Sequence, residues 1–292
     1  MNAHYYVPER SYWPILASIA LFLMAAGAGT LINGLRHGGS PLGQGMLLSG
    51  AGVMAVILFA WFRNVIRESR AGLYSAQMDR SFRWGMSWFI FSEVMFFAAF
   101  FGALFYIRTF AVPWLGGEGD RGSSNLLWQG FSAHWPLLQT PDMQRFPGPA
   151  DVISPWGVPL LNTVLLLTSS VTLTIAHKGL KTGSRARVKL WLALTILLGI
   201  CFIGFQAEEY VLAYTELDLT LKSGVYGATF FILTGFHGLH VTLGSIMLLV
   251  IFLRVLRGHF DAEQHFGFEA VSWYWHFVDV VWVGLFLFVY IL

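Results

Sequence analysis

The sequence predicts an all-α membrane protein that crosses the bilayer seven times. The chain has 292 residues, of which 56% are hydrophobic and only 12% are charged, whereas soluble domains carry about 25% charged residues. A membrane-spanning helix needs about 20 apolar residues, because each residue adds ~1.5 Å along the helix axis. Seven segments meet this requirement, at residues 12–35, 42–66, 83–110, 157–177, 188–212, 225–253 and 268–292.

Positively charged residues predict how these helices are oriented. With a cytoplasmic N-terminus, 13 of the 18 Lys and Arg residues fall on the inner side, namely Arg10, Arg63, Arg67, Arg70, Arg80, Arg83, Lys178, Lys181, Arg185, Arg187, Lys189, Arg254 and Arg257. The outer side holds Arg36, Arg108, Arg121, Arg145 and Lys222. Cytoplasmic loops carry an excess of Lys and Arg, so we expect a cytoplasmic N-terminus and an outer C-terminus. Topology and anionic lipid account for the basic loops, and we expect no nucleic-acid partner.

The first two segments predict a closely packed helix pair. They contain many glycines, which let helix backbones approach each other in lipid: Gly27, Gly29, Gly34, Gly43, Gly45, Gly50 and Gly52. A polar linker, IRESRAGLYSAQMDR, follows this pair. We therefore predict a division into an N-terminal pair with its inner linker, residues 1–75, and a five-helix bundle, residues 76–292.

The third, sixth and seventh segments carry ionisable groups within the predicted membrane. Glu93 and Asp279 each lie ~15–17 Å beyond the start of their helices, near the midplane, where a charge costs at least ~2.5–3.5 kcal/mol. His276 is three residues before Asp279, on the same helical face. His237 and His240 are also three residues apart, in the sixth segment.

Three interpretations of these groups stay open from the residues alone. The histidines could bind heme or copper, which imidazole suits, although no pattern supplies a third or fourth ligand. Glu93 and the histidines could instead form a proton or substrate path. Alternatively, the groups satisfy one another, His276 with Asp279 and Glu93 with a helix neighbour or lipid, because polar groups in lipid need partners.

The two most distinctive loops lie on opposite sides of the predicted membrane. The outer loop, about 111–156, is rich in Pro and Gly, which predicts an irregular cap. Its tryptophans, Trp114, Trp128, Trp135 and Trp156, favour contact with the interface or a partner. The inner loop reads RGHFDAEQHFGFEA and alternates imidazole and carboxylate groups that could collect protons near neutral pH, although an ordinary hydrated loop fits as well. These groups are His259, Asp261, Glu263, His265 and Glu269.

The sequence contains no recognisable enzyme motif. It has no Gly-rich phosphate loop, nucleophile elbow, HExxH run or CxxCH heme attachment site. Its single cysteine, Cys201, excludes an internal disulfide and cannot form a cysteine-based metal cage alone. No enzyme motif therefore indicates a catalytic residue in this chain.

Six blocks, in order along the chain, resemble subunit III of aa3-type cytochrome c oxidases. They are WFRNVIRES, RWGMSWFIFSEVMFF, VPLLNTVLLLTSSVT, QAEEY, GVYGATFFILTGFHGLHV and FGFEAVSWYWHFVDVVW. The resemblance implies seven helices in a 2+5 arrangement with a V-shaped cleft that holds phospholipid. It also implies a non-catalytic core subunit that packs against subunit I and sustains proton uptake. Heme a and copper then belong to partner subunits I and II, and contact with cytochrome c is indirect. The resemblance thus implies no catalytic residue, no bound cofactor and no metal ligand in this chain.

The resemblance assigns roles to individual residues. Glu93 matches an intramembrane glutamate beside the lipid cleft, Arg67 and Glu68 match headgroup-binding positions, and Trp61 matches an aromatic residue lining the cleft. Tyr74 lies where the family usually carries His-Thr-Pro, so we assign it to the cleft while that headgroup contact stays open. The remaining intramembrane groups match positions that bind no metal: His237, His240, His276 and Asp279.

The outer loop departs from the family pattern. It is longer than in compact members, with a predicted insert between Pro136 and Val158, and this favours a bacterial inner membrane over a mitochondrial one. A secondary transporter is the main alternative class and predicts an inverted repeat, which we do not find. A free-standing heme protein is the third class.

Overall fold

The computed structural model describes residue 6 and residues 11–34, 39–120 and 122–292. Throughout these residues the regular structure is helical, and seven helices are long and apolar enough to cross a membrane. The predicted fold class is therefore confirmed. Arg10, Arg36 and Arg121, which enter the charge count, lie outside the described residues.

The helices follow one another with short connections except at the outer loop. They are α1 Trp13–Gly34, α2 Pro41–Arg70, α3 Ala76–Tyr106, α4 Val112–Leu115, α5 Val158–Lys181, α6 Arg185–Thr215, α7 Gly224–Leu256 and α8 Phe266–Leu285. A π-helical turn, Ile107–Ala111, joins α3 to α4, and another, Phe286–Ile291, follows α8.

The third membrane span is longer at both ends than the predicted 83–110. It begins at Ala76, because the Ser75 side chain accepts a hydrogen bond from the Met78 amide at 3.3 Å and caps the first turn. At its other end the helix continues to Leu115. Pro113 is the second residue of α4, directly after the π-helical turn, and does not end the helix.

The chain divides into two compact units, Met1–Phe82 and Arg83–Leu292, so the boundary falls within α3. The first unit contains the antiparallel α1–α2 pair, whose glycines bring the two backbones into contact. A Cβ atom on Gly27 would lie 2.5 Å from the Leu47 amide nitrogen, and one on Gly43 would lie 2.6 Å from that of Leu31. Side chains at these positions would force the helices apart. The predicted division at residue 75 and the 2+5 arrangement stay predictions.

The second unit is built around α8. In the most apolar stretch of this last span 56% of the residues are buried, against 11% in each of the first three spans. Trp275 and Trp282 are fully buried, and their indole N–H groups donate to Ser169 and Thr163 of α5, both at 2.9 Å. Gly244 of α7 lies flat against the Trp275 ring, where a Cβ would come within 2.9 Å. The core therefore combines close packing with hydrogen bonds that satisfy its two fully buried indole N–H groups.

The outer loop folds back over the ends of α6 and α7. Within it, Leu137 and Ile153 are buried, and the Ala150 amide donates to the Leu217 carbonyl at 2.9 Å. The Trp135 ring packs edge-on against Tyr226 with centroids 5.5 Å apart. The loop thus covers the C-terminal end of α6 and the N-terminal end of α7.

Candidate functional site

The intramembrane acid Glu93 is paired with a histidine of another helix. Its Oε2 atom, on α3, lies 2.8 Å from Nε2 of His240 on α7. The side chains are 22% and 10% exposed, respectively. The acid is therefore held within the second unit by a specific partner.

The hydrogen bonds of His240 indicate where the protons of the Glu93–His240 pair lie. Its Nδ1 atom lies 2.6 Å from the carbonyl oxygen of Phe236. A carbonyl can only accept, so Nδ1 carries a proton. Its Nε2 then either accepts from a protonated Glu93 or donates to an ionised one. In both forms a single proton is shared between Glu93 and His240.

Aromatic rings enclose this pair. Phe97 packs edge-on against the imidazole with centroids 4.9 Å apart. Tyr274 of α8 stacks on the same ring at 6.3 Å, with an interplanar angle of 16°. The His240 ring is thereby held in one orientation, with its Nε2 atom towards Glu93.

The second histidine of α7 serves a different contact. Its Nε2 atom lies 3.2 Å from the Val278 carbonyl oxygen of α8, and the ring packs against Trp282 with centroids 5.1 Å apart. The residue, His237, is 1% exposed. The two histidines of α7 therefore take different partners.

The polar groups of α8 are also separate from the Glu93 pair. His276 Nδ1 lies 2.5 Å from the Ser170 hydroxyl of α5, but 3.8 Å from Asp279 Oδ2. The second distance exceeds a hydrogen bond, so Ser170 is the hydrogen-bonding partner of His276. Asp279 is 4% exposed, and among the described residues its two oxygens accept no hydrogen bond.

A further buried acid was not predicted as a site. Glu209 is 1% exposed, and its Oε1 atom accepts hydrogen bonds from the Tyr290 hydroxyl at 2.6 Å and from the Gln206 amide at 3.2 Å. The QAEEY block could have indicated this buried acid, because it lies inside a helix and Gln206 and Glu209 share one helical face.

The predicted proton-collecting cluster is only partly at the surface. Asp261 and Glu263 are exposed, and Asp261 accepts amide hydrogen bonds from Gln264 at 2.6 Å and Glu263 at 2.9 Å, which lower its pKa. His259 is half-buried. The assignment of His265 to the surface is wrong, because this residue is only 9% exposed.

Glu269 takes part in two groupings. Its Oε2 atom pairs with the Arg83 guanidinium at 2.8 Å. It also belongs, with His177 and His265, to a set of three possible metal ligands whose donor atoms all lie within 4.8 Å of one another. This set was not predicted from the sequence, where we expected no metal ligands in the chain.

The residues assigned to lipid lie in the first unit, apart from Glu93. At the α1–α2 pair, a pocket of about 280 Å³ is lined by Trp13, Phe59, Ala60, Arg63, Asn64 and Arg67. Arg63 and Arg67 are one helical turn apart and share a face. Trp61 is 45% exposed and lies outside this lining.

Glu68 and Tyr74 contact each other. The Tyr74 hydroxyl lies 2.9 Å from Glu68 Oε2 and 3.2 Å from the Val65 carbonyl oxygen. Burial and the neighbouring carboxylate raise the pKa of Tyr74. Glu93 belongs to the other unit, so a cleft lined jointly by all these residues stays a prediction.

Comparison with known proteins gives a match along almost the whole chain. The family model described as Cytochrome c oxidase subunit III matches residues 3–118 and 126–292. The unmatched stretch, 119–125, precedes the predicted insert, and the match runs uninterrupted through residues 137–157.

Individual relatives are similar over nearly their full length. A protein of Prototheca wickerhamii named "Cytochrome c oxidase subunit 3" is 37% identical over 292 residues, which covers 99% of this chain and 98% of the relative. Proteins of the same name from Cyprinus carpio and Oryctolagus cuniculus are each 39% identical, over 291 and 287 residues. These alignments cover 99% and 98% of this chain, and 97% and 96% of the relatives.

Proposed function

The chain belongs to the cytochrome c oxidase subunit III family, and from this premise we propose that it is the non-catalytic core subunit of an aa3-type oxidase. As a member of the family it is a multi-pass membrane protein and a subunit of the oxidase complex, whose other subunits are its partners. The proposal adds that it packs against subunits I and II, which hold heme a and copper and face cytochrome c. The role of this chain is then to stabilise the complex, to bind lipid and to support proton uptake.

The separate partners of the intramembrane histidines carry this proposal. His237 contacts the Val278 carbonyl, His240 contacts Glu93, and His276 contacts Ser170. A heme or copper centre needs several donors aimed at one point, whereas these rings are each directed at a different protein group. A structural role for them is therefore the interpretation that the geometry favours.

The test is to purify the complex and then separate this chain from it. We expect heme a and copper to stay with the two partner subunits in full stoichiometry, and the complex to keep its initial rate of oxygen reduction. A Soret band on the separated chain, or loss of redox copper with it, would contradict the proposal.

Phospholipid binding is supported by the pocket of the first unit. Arg63 and Arg67 present two guanidinium groups beside the apolar surfaces of Trp13 and Phe59. Guanidinium groups bind phosphate through paired hydrogen bonds, and the apolar residues suit acyl chains. We propose that an anionic lipid headgroup occupies this pocket.

Native mass spectrometry of the Arg67→Ala complex tests the lipid site. We expect loss of one tightly bound phospholipid, and a greater loss when Arg63→Ala is added. Arg70→Ala is the matched control, because Arg70 lies on the same helix but outside the pocket lining. Equal lipid occupancy in all variants would count against the site.

Support of proton uptake is proposed for the loop between α7 and α8. Asp261 and Glu263 are exposed there, and carboxylates with nearby imidazole exchange protons readily near neutral pH. Complexes with and without this chain should diverge in turnover as pH rises from ~6.5 to ~8.5, where free protons become scarce. A double variant, Asp261→Asn with Glu263→Gln, should reproduce part of the difference, whereas superimposable pH–activity curves for complete and depleted complexes would remove this role.

The finer localisation is likewise part of the proposal. We propose a bacterial inner membrane as the location of the chain. We place its N-terminus in the cytoplasm because Lys and Arg are concentrated on that side in the charge count. Protease accessibility of a tag at the N-terminus, in inverted and right-side-out vesicles, tests the orientation. Cleavage only in right-side-out vesicles would reverse it.

A further inference from the structure

We propose that His177, His265 and Glu269 form a binding site for a divalent metal ion of the Zn²⁺ class. His177 lies in the last turns of α5, His265 immediately precedes α8, and Glu269 is in the first turn of α8. The three donor atoms lie within 4.8 Å of one another. This site is independent of the heme and copper centres discussed above.

The donor set suits zinc. Two imidazoles and one carboxylate, with water in a fourth position, form a common Zn²⁺ coordination set with bonds of ~2.0–2.2 Å. Donors around such an ion are ~3.4 Å apart in a tetrahedral arrangement, so side-chain rotations must bring the present donors closer by at most ~1.4 Å. His265 and Glu269 are four residues apart and already lie on the same side of the α8 start.

The two imidazoles also have unused nitrogens. His177 Nε2 and His265 Nδ1 are buried, and neither makes a hydrogen bond within the described residues. His265 as a whole is 9% exposed. Buried nitrogens normally have a partner, and a coordinated metal ion would provide one for both rings.

The surroundings orient the ligands. The His177 ring packs against His265 with centroids 5.4 Å apart and against Phe268 at 5.5 Å. Arg83 holds Glu269 through Oε2 at 2.8 Å. A carboxylate has two oxygens, so Glu269 can coordinate the ion while keeping this hydrogen bond, as ligands of metal sites commonly do.

A bound ion would connect the end of α5 to the start of α8. Because the metal binds only when both rings are correctly placed, binding stabilises the folded bundle by mass action. Coordination uses the lone pair of a neutral imidazole, so protonation of either ring competes with the metal ion.

Zinc titration of the purified, chelator-treated complex tests the site. We expect isothermal titration calorimetry to show one Zn²⁺ equivalent that is lost, or weakened at least tenfold, in both His177→Gln and His265→Gln complexes. His134→Gln is the control, because His134 is exposed in the outer loop. Unchanged stoichiometry and affinity in both variants would overturn the proposal.

A gain-of-ligand variant keeps the test decisive where the Gln variants do not assemble. The His177→Cys complex should bind Cd²⁺ and develop the ultraviolet charge-transfer band of a cadmium thiolate, because thiolate favours soft metals. Addition of His265→Gln should weaken that binding. An assembled His177→Cys complex that binds Cd²⁺ without this band would exclude residue 177 as a ligand.

Discussion

Replacing Glu93 separates a structural acid from a proton carrier. Glu93→Gln preserves the contact with His240, because His240 Nδ1 is already protonated and its Nε2 can accept from the glutamine amide. Glu93→Leu removes the contact and leaves Nε2 without a partner. Glutamine cannot transfer a proton as a carboxyl group does, so the two variants report on different properties.

The expected energies differ between the two variants. An unsatisfied buried polar group costs ~1–3 kcal/mol, which corresponds to a shift of ~5- to 150-fold in the folding equilibrium. The group that Glu93→Leu leaves unsatisfied is His240 Nε2, and the His240 side chain is only 10% exposed, so we expect a loss within this range. Glu93→Gln should cost under ~1 kcal/mol, since it exchanges one hydrogen bond for another.

Two measurements on the assembled complex distinguish a structural role of Glu93 from a role as a proton carrier. Thermal dissociation of this chain from the complex should occur earlier for Glu93→Leu than for Glu93→Gln, and the initial rate of oxygen uptake should stay close to wild type in Glu93→Gln. Abolished initial oxygen reduction in Glu93→Gln would refute the non-catalytic role. Equal destabilisation in both variants would refute the importance of the hydrogen bond to His240.

Two further predictions concern packing and buried hydrogen bonds. Gly43→Ala should destabilise the complex by ~1–3 kcal/mol, because its Cβ would lie 2.6 Å from the Leu31 amide nitrogen. Gly45→Ala is the control and should be neutral or slightly stabilising, because nothing lies within 4 Å of its Cβ position. Equal thermal stability of the two variants would disprove the close contact. Thr163→Val keeps the shape of the side chain but leaves the fully buried Trp282 indole N–H without its acceptor. We therefore expect the free energy of unfolding to fall by ~1–3 kcal/mol in denaturation experiments. An unfolding midpoint equal to wild type would show that Trp282 finds another acceptor.

Apolar length predicted the membrane spans well because each helix must satisfy its backbone hydrogen bonds within the bilayer. The third span was the exception at both ends. Its first turns are polar and therefore do not appear in a hydropathy pattern, but Ser75 caps them. At the other end, Pro113 suggested a loop, whereas the π-helical turn carries the helix past it to Leu115.

The contacts of the candidate sites were harder to predict, because they join distant segments. Helical spacing placed His237 and His240 together on α7, but it could not show that one contacts α8 and the other Glu93. The same limit applies to His177, which reaches His265 only when α5 packs beside α8. Periodicity describes one helix at a time, whereas these pairings depend on the packing between helices.

The hydrogen bond between Glu209 and Tyr290 has a consequence for synthesis. Glu209 enters the membrane with the fifth span, well before Tyr290 leaves the ribosome, and its Oε1 atom lacks this donor until the seventh span is inserted. In a nascent chain arrested between these points, Glu209 lies in an apolar setting without its hydrogen bond from Tyr290. The end of α6 that contains Glu209 therefore cannot reach its final packing until the last helix is inserted. Arrested chains of graded length should therefore become protease-resistant at the outer end of α6 only once Tyr290 has emerged.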